Sequence, residues 1–259
     1  MRVLVVADIH GNRAALEAIR ESFDVCLCVG DIVDYGPEPA WCVDWVRRNA
    51  THCVRGNHDH GVAQNVDIQG AGGFRFLTSV TRPITVAALS SDQRRYLAAL
   101  PTSRMFTLNG KRFLLVHATP RDPMDEYAPP DPAFWYPRLA GLKVDYVLTG
   151  HTHVPYTLRV RNTLIVNPGS VGIGRDGNPH ASYAIIDGDE VQLKRTEYAI
   201  EETVGAMEAT VRDATARLML TDVFRTGGLP TKWLLRNGTS TKGNGNGNGN
   251  GNGNGNGAH

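Results

Sequence analysis

The chain lacks a surplus of either charge: 27 Lys and Arg stand against 26 Asp and Glu in 259 residues. Without a basic field there is nothing to grip a long phosphate backbone, so a large nucleic-acid partner is not expected. No apolar run reaches the length of a membrane span, and no charged-then-apolar pattern precedes Asp8, so neither a membrane anchor nor a secretory signal is expected. Cysteine is scarce: Cys26, Cys28, Cys42 and Cys53 are all there is. Cys26 and Cys28 sit one residue apart on an apolar run, so they share a face but hold their Cβ atoms too far apart to bond. No second Cys/His pair stands at zinc-finger spacing, which disfavours a Cys-x-Cys metal site. The thiols are read as buried, reduced core in a cytoplasmic protein.

What the chain does have is a repeated pattern. Val3–Ala7 runs into Asp8-Ile9-His10-Gly11-Asn12, and Asp24–Val29 into Gly30-Asp31-Ile32-Val33-Asp34. Thr51–Arg55 leads to Gly56-Asn57-His58-Asp59, Arg112–Val116 to His117, and Val144–Leu148 to Gly150-His151-Thr152-His153. Five short apolar runs, of the kind that doubly covered strands show, each end in Asp, Asn or His. Open α/β sheets place their ligands at the carboxyl ends of such strands, so these side chains are expected to converge.

Asp-x-His, Gly-Asp-x-x-Asp, Gly-Asn-His-Asp, a lone His after a strand and Gly-His-x-His, in that order, resemble the calcineurin-like metallophosphoesterases. The likeness is to the small bacterial phosphodiesterase-like members in particular, and it covers roughly residues 1 to 200. It implies an α/β fold: a four-layer αββα sandwich of two mixed β-sheets flanked by helices. By the family's motifs, one divalent cation would be held by Asp8, His10 and His153 and a second by Asn57, His117 and His151, with Asp31 bridging them. His58 would contact the phosphate and assist the leaving oxygen, oriented by Asp34. The family's chemistry is attack on a phosphoester by a hydroxide that bridges the two metals. Oxygen donors mixed with imidazoles suit Mn²⁺ or Fe²⁺, with Ni²⁺, Zn²⁺ or Co²⁺ also accepted. Two such ions bring four positive charges, of which Asp8 and Asp31 cancel two and a hydroxide a third, leaving net attraction for a phosphate.

One departure narrows the substrate. Protein phosphatases of the family follow the second Asp with Arg, and here Tyr35 stands there. The expected substrates are therefore small phosphodiesters and phosphomonoesters. Dinucleoside polyphosphates are the enzymatic alternative, and a non-catalytic scaffold of the same fold is disfavoured because every motif is intact.

The remainder reads more coarsely. One domain is expected over residues 1–236, with residues 60–104 as a helical insertion over the rim of the site that helps choose the substrate. Helices are expected over Asn12–Arg20, Trp41–Val46, Phe74–Val80, Ser91–Leu100 and Ile200–Leu220, the last carrying Val204, Met207, Val211, Ala214 and Leu218 as an apolar stripe. Trp41 and Trp45, at i and i+4, are read as core packing. The stripe and the insertion offer apolar surface compatible with a homodimer. Thr163–Val166, Ser182–Ile186 and Val191–Arg195 are expected as strands of a second sheet. In the Pro-rich loop after His117, Arg121 is a candidate phosphate contact. Arg175, in a Gly-rich loop, could reach a substrate but is read in preference as a solvated charge, and His52, His60 and His180 match no motif. Residues 237–259 alternate Gly and Asn and have no apolar surface to bury, so they are expected to be disordered.

Overall fold

Each apolar run that precedes a motif is a strand in the computed structural model, which describes residues 1–234; the Gly/Asn tail lies outside them. In chain order the elements are β1 (Arg2–Val6), α1 (Arg13–Glu17), β2 (Val25–Cys28), α2 (Pro39–Asn49), β3 (His52–Cys53), α3 (Asn57–Ala63), α4 (Gly73–Ala88) and α5 (Ser91–Ala99). There follow β4 (Ser103–Leu108), β5 (Lys111–Val116), α6 (Pro132–Arg138), β6 (Tyr146–Leu148), β7 (Tyr156–Val160) and β8 (Thr163–Asn167). Last come β9 (Ala181–Asp187), β10 (Glu190–Thr196), α7 (Ile200–Thr210), α8 (Ala214–Thr226) and α9 (Thr231–Leu234).

The strands form two mixed five-stranded sheets, ordered β10-β9-β1-β2-β3 and β4-β5-β6-β8-β7. Alternation along each strand sorts its side chains between two cores. Val3, Val5, Leu27 and Val29 of the first sheet meet Phe113, Leu115, Tyr146 and Leu148 of the second. The opposite face of the first sheet, Leu4, Val6, Cys26 and Cys28, packs on α1, α2 and α5 through Leu16, Val43, Val46 and Leu97. The far face of the second sheet, Leu114, Val116, Val147 and Ile165, is covered by Trp135 of α6. The result is the four-layer αββα sandwich. All four cysteines are free and buried, three of them at less than 1% exposure. Trp41 and Trp45 pack against the same core as the thiols.

Some expectations need correction. The single helix over Ile200–Leu220 is two, because the Asp213 carboxylate accepts from Ala216 N at 2.8 Å and starts α8 afresh. The break shifts the stripe: Val204, Met207 and Val211 are buried, but Leu218 is 61% exposed and Met219, Leu220, Val223 and Phe224 take its place. Helix α4 runs through Pro83 to Ala88, well past the expected end at Val80. Ser90, with Gln93 at N3, makes a full capping box on α5. Of the three runs assigned to a second sheet only Thr163–Val166, in β8, lies there; Ser182–Ile186 and Val191–Arg195, in β9 and β10, extend the first sheet antiparallel beside β1. Strands β4 and β7 were not foreseen; both are outer strands of the second sheet, paired antiparallel to β5 and β8. Among the described residues no helix is long and apolar enough to cross a membrane.

Candidate metal centre

Strands β1, β2 and β3 run parallel, so the motifs that follow them emerge on one rim. The first two loops are laced by backbone bonds: Asp8 N to Gly30 O (3.0 Å), His10 N to Asp31 O (3.0 Å) and Gly36 N to His10 O (2.9 Å). Such close lacing forces unusual backbone. Asp8, His10, Asp31, Asp34, Tyr35, His151 and His153 all hold positive φ, between 47° and 69°. For non-glycine residues this is costly, and it clusters where surrounding structure fixes a side chain's aim. Gly56 answers a different need: a Cβ there would lie 2.1 Å from Asp31 Oδ1.

The side chains meet as two groups. Asp8, His10 and His153 form one, and Asp31, His117 and His151 the other, all of them buried. Asp31 Oδ2 stands between the groups, 3.8 Å from His10 Nε2 and 3.2 Å from His117 Nε2. Asp31 Oδ1 accepts from His58 N (2.9 Å), so only Oδ2 is left facing the centre. Asp8 accepts from His151 N at 3.1 Å and sits 3.3 Å from His153 Nε2.

The histidine tautomers follow from their backbone partners. His10 Nδ1 donates to Val33 O (2.8 Å), His117 Nδ1 to Val29 O (2.8 Å) and His153 Nδ1 to Ile173 O (2.6 Å). Since a carbonyl only accepts, each Nδ1 carries a proton and each Nε2 is turned inward as the atom available to a cation. His151 is reversed: Nε2 donates to Asp125 O (3.1 Å), which leaves Nδ1 as the donor to a cation. His10 Nε2 and His153 Nε2 face one another at 3.2 Å, and burial drives both imidazoles well below their ordinary pKa. Two neutral rings with opposed lone pairs at that distance want a cation between them. Asp31 Oδ2, Asn57 Oδ1 and His117 Nε2 are buried without a hydrogen-bond partner, which is costly unless something else binds them. This donor set of carboxylate and amide oxygens with imidazole nitrogens fits divalent transition ions.

Electrostatics tell the same story. Burial pushes Asp8 up to about 7, with Asp31 adding to the push. Burial would raise Asp31 too, but His117, His58 and His10 outweigh it and hold the carboxyl well below its usual range. His117 is lowered by burial yet raised further by Asp31 beside it, to about 10, so a proton there does duty for missing positive charge. His151 falls to about 3 through burial and the charge on His117.

Beside the groups lies a dyad. His58 Nδ1 is 2.7 Å from Asp34 Oδ2, and Asp34 is also gripped by Arg82 through Nε (2.7 Å) and Nη2 (2.6 Å). Arg82 was not foreseen; it comes from α4, and a Cβ on Gly61 would meet its Nη1 at 1.9 Å. Tyr35 is buried with its hydroxyl 3.4 Å from His58 Nε2, and it accepts from Thr78 Oγ1 at 2.8 Å. Asp59 received no role from sequence, yet its carboxylate accepts from Asp31 N, Ile32 N and Gly56 N and ties two motifs together.

A cavity of about 490 Å³ opens over His58, His151 and His153, within the size range of small-molecule sites (roughly 300–1,000 Å³). Segment 60–104 contributes His60, Val66, Ile68, Phe74 and Arg82 to its wall. Arg121 is exposed and is not among the lining residues, whereas Arg175 is. His60 therefore lies in the cavity wall and Arg175 in the cavity, unlike their sequence readings. His52 packs against Phe106 with ring centres 4.2 Å apart and planes tilted by 52°.

Sandwich, converging Asp/His groups and cavity together define a metal-dependent phosphoesterase. Residues 1–190 match the calcineurin-like phosphoesterase superfamily domain. An uncharacterized protein of Methanocaldococcus jannaschii is 30% identical over 226 residues, spanning 77% of this chain and 89% of that protein. Phosphodiesterase YfcE of Escherichia coli is 27% identical over 209 residues, 74% of this chain and 91% of its own length. The crystal structure of a metallophosphoesterase from Sphaerobacter thermophilus superposes with a TM-score of 0.74 at 30% identity, covering 88% of this chain and 99% of that one. The chain belongs to the calcineurin-like phosphoesterase superfamily, and it is a hydrolase of phosphoesters.

Proposed function

We propose that the protein hydrolyses small phosphodiesters, and phosphomonoesters more slowly, using two divalent cations, Mn²⁺ foremost. Asp8, His10 and His153 would hold one ion and Asn57, His117 and His151 the other, with Asp31 shared. The observation that carries this reading is Asp31 Oδ2, buried without a hydrogen-bond partner between two groups whose imidazole tautomers are set by backbone carbonyls. When bound, the ions supply Lewis-acid polarisation of the phosphoryl oxygens and a water of lowered pKa.

The chain's own residues do the rest. His58, on the cavity side of Asn57, delivers a proton to the leaving oxygen from Nε2 while Nδ1 stays on Asp34. Arg82 holds Asp34 so that the imidazole keeps its aim. Tyr35 packs its ring 4.8 Å from His10 and 4.9 Å from His58, filling space where the protein phosphatases carry a guanidinium. Segment 60–104 walls the cavity and limits it to small substrates. The relative that is a phosphodiesterase by name supports the diester reading.

The test is a panel with the Mn²⁺-loaded protein: bis-p-nitrophenyl phosphate, p-nitrophenyl phosphate and diadenosine tetraphosphate. The highest kcat/KM is expected on the first. A preference for the tetraphosphate would replace the diester reading, and absence of turnover on all three with Mn²⁺, Fe²⁺ and Ni²⁺ would remove it.

A further inference from the structure

Three guanidiniums line the cavity, and two are already engaged. Arg82 is committed to Asp34, and Arg75 donates from Nε to Gln69 O at 2.6 Å. Arg175, on the loop between β8 and β9, is different. Its Nη1 donates to the Tyr127 hydroxyl at 3.0 Å, and its guanidinium carbon lies 4.1 Å from the centre of the Phe74 ring. Its Nε is buried without a hydrogen-bond partner, and the neighbouring carboxylate in the chain, Asp176, is taken by Arg195. One phenol and one ring face hold the group in place but leave its charge uncompensated, and a half-buried cation of this kind is stabilised by an anion. Its charge is felt at Asp8, His10, His151 and His153, so it looks onto the same space as the two Asp/His groups.

We infer that Arg175 is the guanidinium that binds the non-bridging oxygens of the substrate's phosphate, supplied from the loop after β8. Phe74 of α4 and Tyr127 of the loop after β5 orient it, so the phosphate subsite is assembled from three separate segments. The planar guanidinium with one amino group anchored presents its remaining donors as a fork, which matches two phosphate oxygens. This assignment rests on the phosphoesterase reading of the same cavity and adds the group that would grip the substrate's anion.

The test uses Arg175→Ala and Arg175→Lys in the Mn²⁺-loaded full chain. Binding of inorganic phosphate is followed by calorimetry, which requires no turnover, and hydrolysis of bis-p-nitrophenyl phosphate is followed by release of p-nitrophenolate. Arg175→Ala is expected to weaken phosphate about 10–100-fold and to lower kcat/KM for the diester by a similar factor, with metal content and melting temperature as in the parent. Arg175→Lys should restore part of the phosphate affinity, since it keeps the charge and loses the fork. An Arg175→Ala protein that binds phosphate as tightly as the parent overturns the assignment. So does one that loses metal or thermal stability along with phosphate, because the residue is then structural. If the parent hydrolyses no diester while its phosphate affinity still falls on Arg175→Ala, the subsite stands and the diester reading alone fails.

Discussion

At the scale of single residues, the centre works through constraint. The backbone carbonyls of Val33, Val29 and Ile173 fix three imidazoles with their Nε2 atoms inward, so the ligand atoms are aimed before any cation arrives. That arrangement has a pH signature. Burial raises Asp8 to about 7, and Asp31 raises His117 to about 10 against burial, so at pH 7 His117 is protonated and Asp8 about half so, and a cation must displace those protons. Raised pKa values mean that affinity climbs with pH, and Mn²⁺ titrations in buffers of different ionisation enthalpy should show net proton release at pH 7. His58→Ala should leave metal content intact and lower kcat by ~10²–10⁴, read by metal analysis beside steady-state kinetics. Gly56→Ala should instead lose metal, because its Cβ would strike Asp31 Oδ1. These motif residues were legible in sequence because strand ends carry them at short fixed spacings. Arg82 was not, because a guanidinium that reaches its target from 48 residues away, as Arg82 reaches Asp34, leaves no local spacing to read.

At the scale of elements, α4 ties the insertion to the dyad. Arg82→Met would strand the Asp34 carboxylate in a buried setting, and breaking such a pair costs roughly 3–5 kcal/mol. Urea unfolding should show that loss together with a fall in kcat. Ser90→Ala removes only a helix cap, so about 1 kcal/mol of stability should go with activity unchanged. The buried strands of the parallel core were readable from their unbroken apolar runs. Strand β4 was overlooked because its residues are mostly exposed and carry no such run. Its signal lay instead in the turn: Asn109 and Gly110, at φ 49° and 75°, link β4 to β5 in the two-residue geometry that Asn-Gly favours. Helix α7 ended early for a reason invisible to periodicity, since Asp213 competes for backbone N–H groups whatever the apolar spacing around it.

For the molecule as a whole, Glu21 ties together three adjacent strands of the first sheet, contacting Arg2 of β1, Lys194 of β10 and the Tyr183 hydroxyl of β9. The bond from Lys194, with those from Arg2 and Tyr183, holds its carboxyl down at about 2 from an ordinary 4.5. A depressed carboxyl stabilises the fold above pH 4.5 and loses that contribution as pH falls toward 2, so Glu21→Gln should destabilise at pH 7 and have little effect near pH 2. The sandwich itself was foreseen through the resemblance of the motifs, whereas the way its outer strands close was not. Four of the proposed ligands, Asp8, His10, Asp31 and Asn57, hang from the first sheet, and His117, His151 and His153 hang from the second. A cation held by both halves would act as a rivet through the seam, so that slippage of one half past the other and escape of the ion would be one event, and chelation is expected to loosen amides deep in β5 and β6, as hydrogen exchange would read.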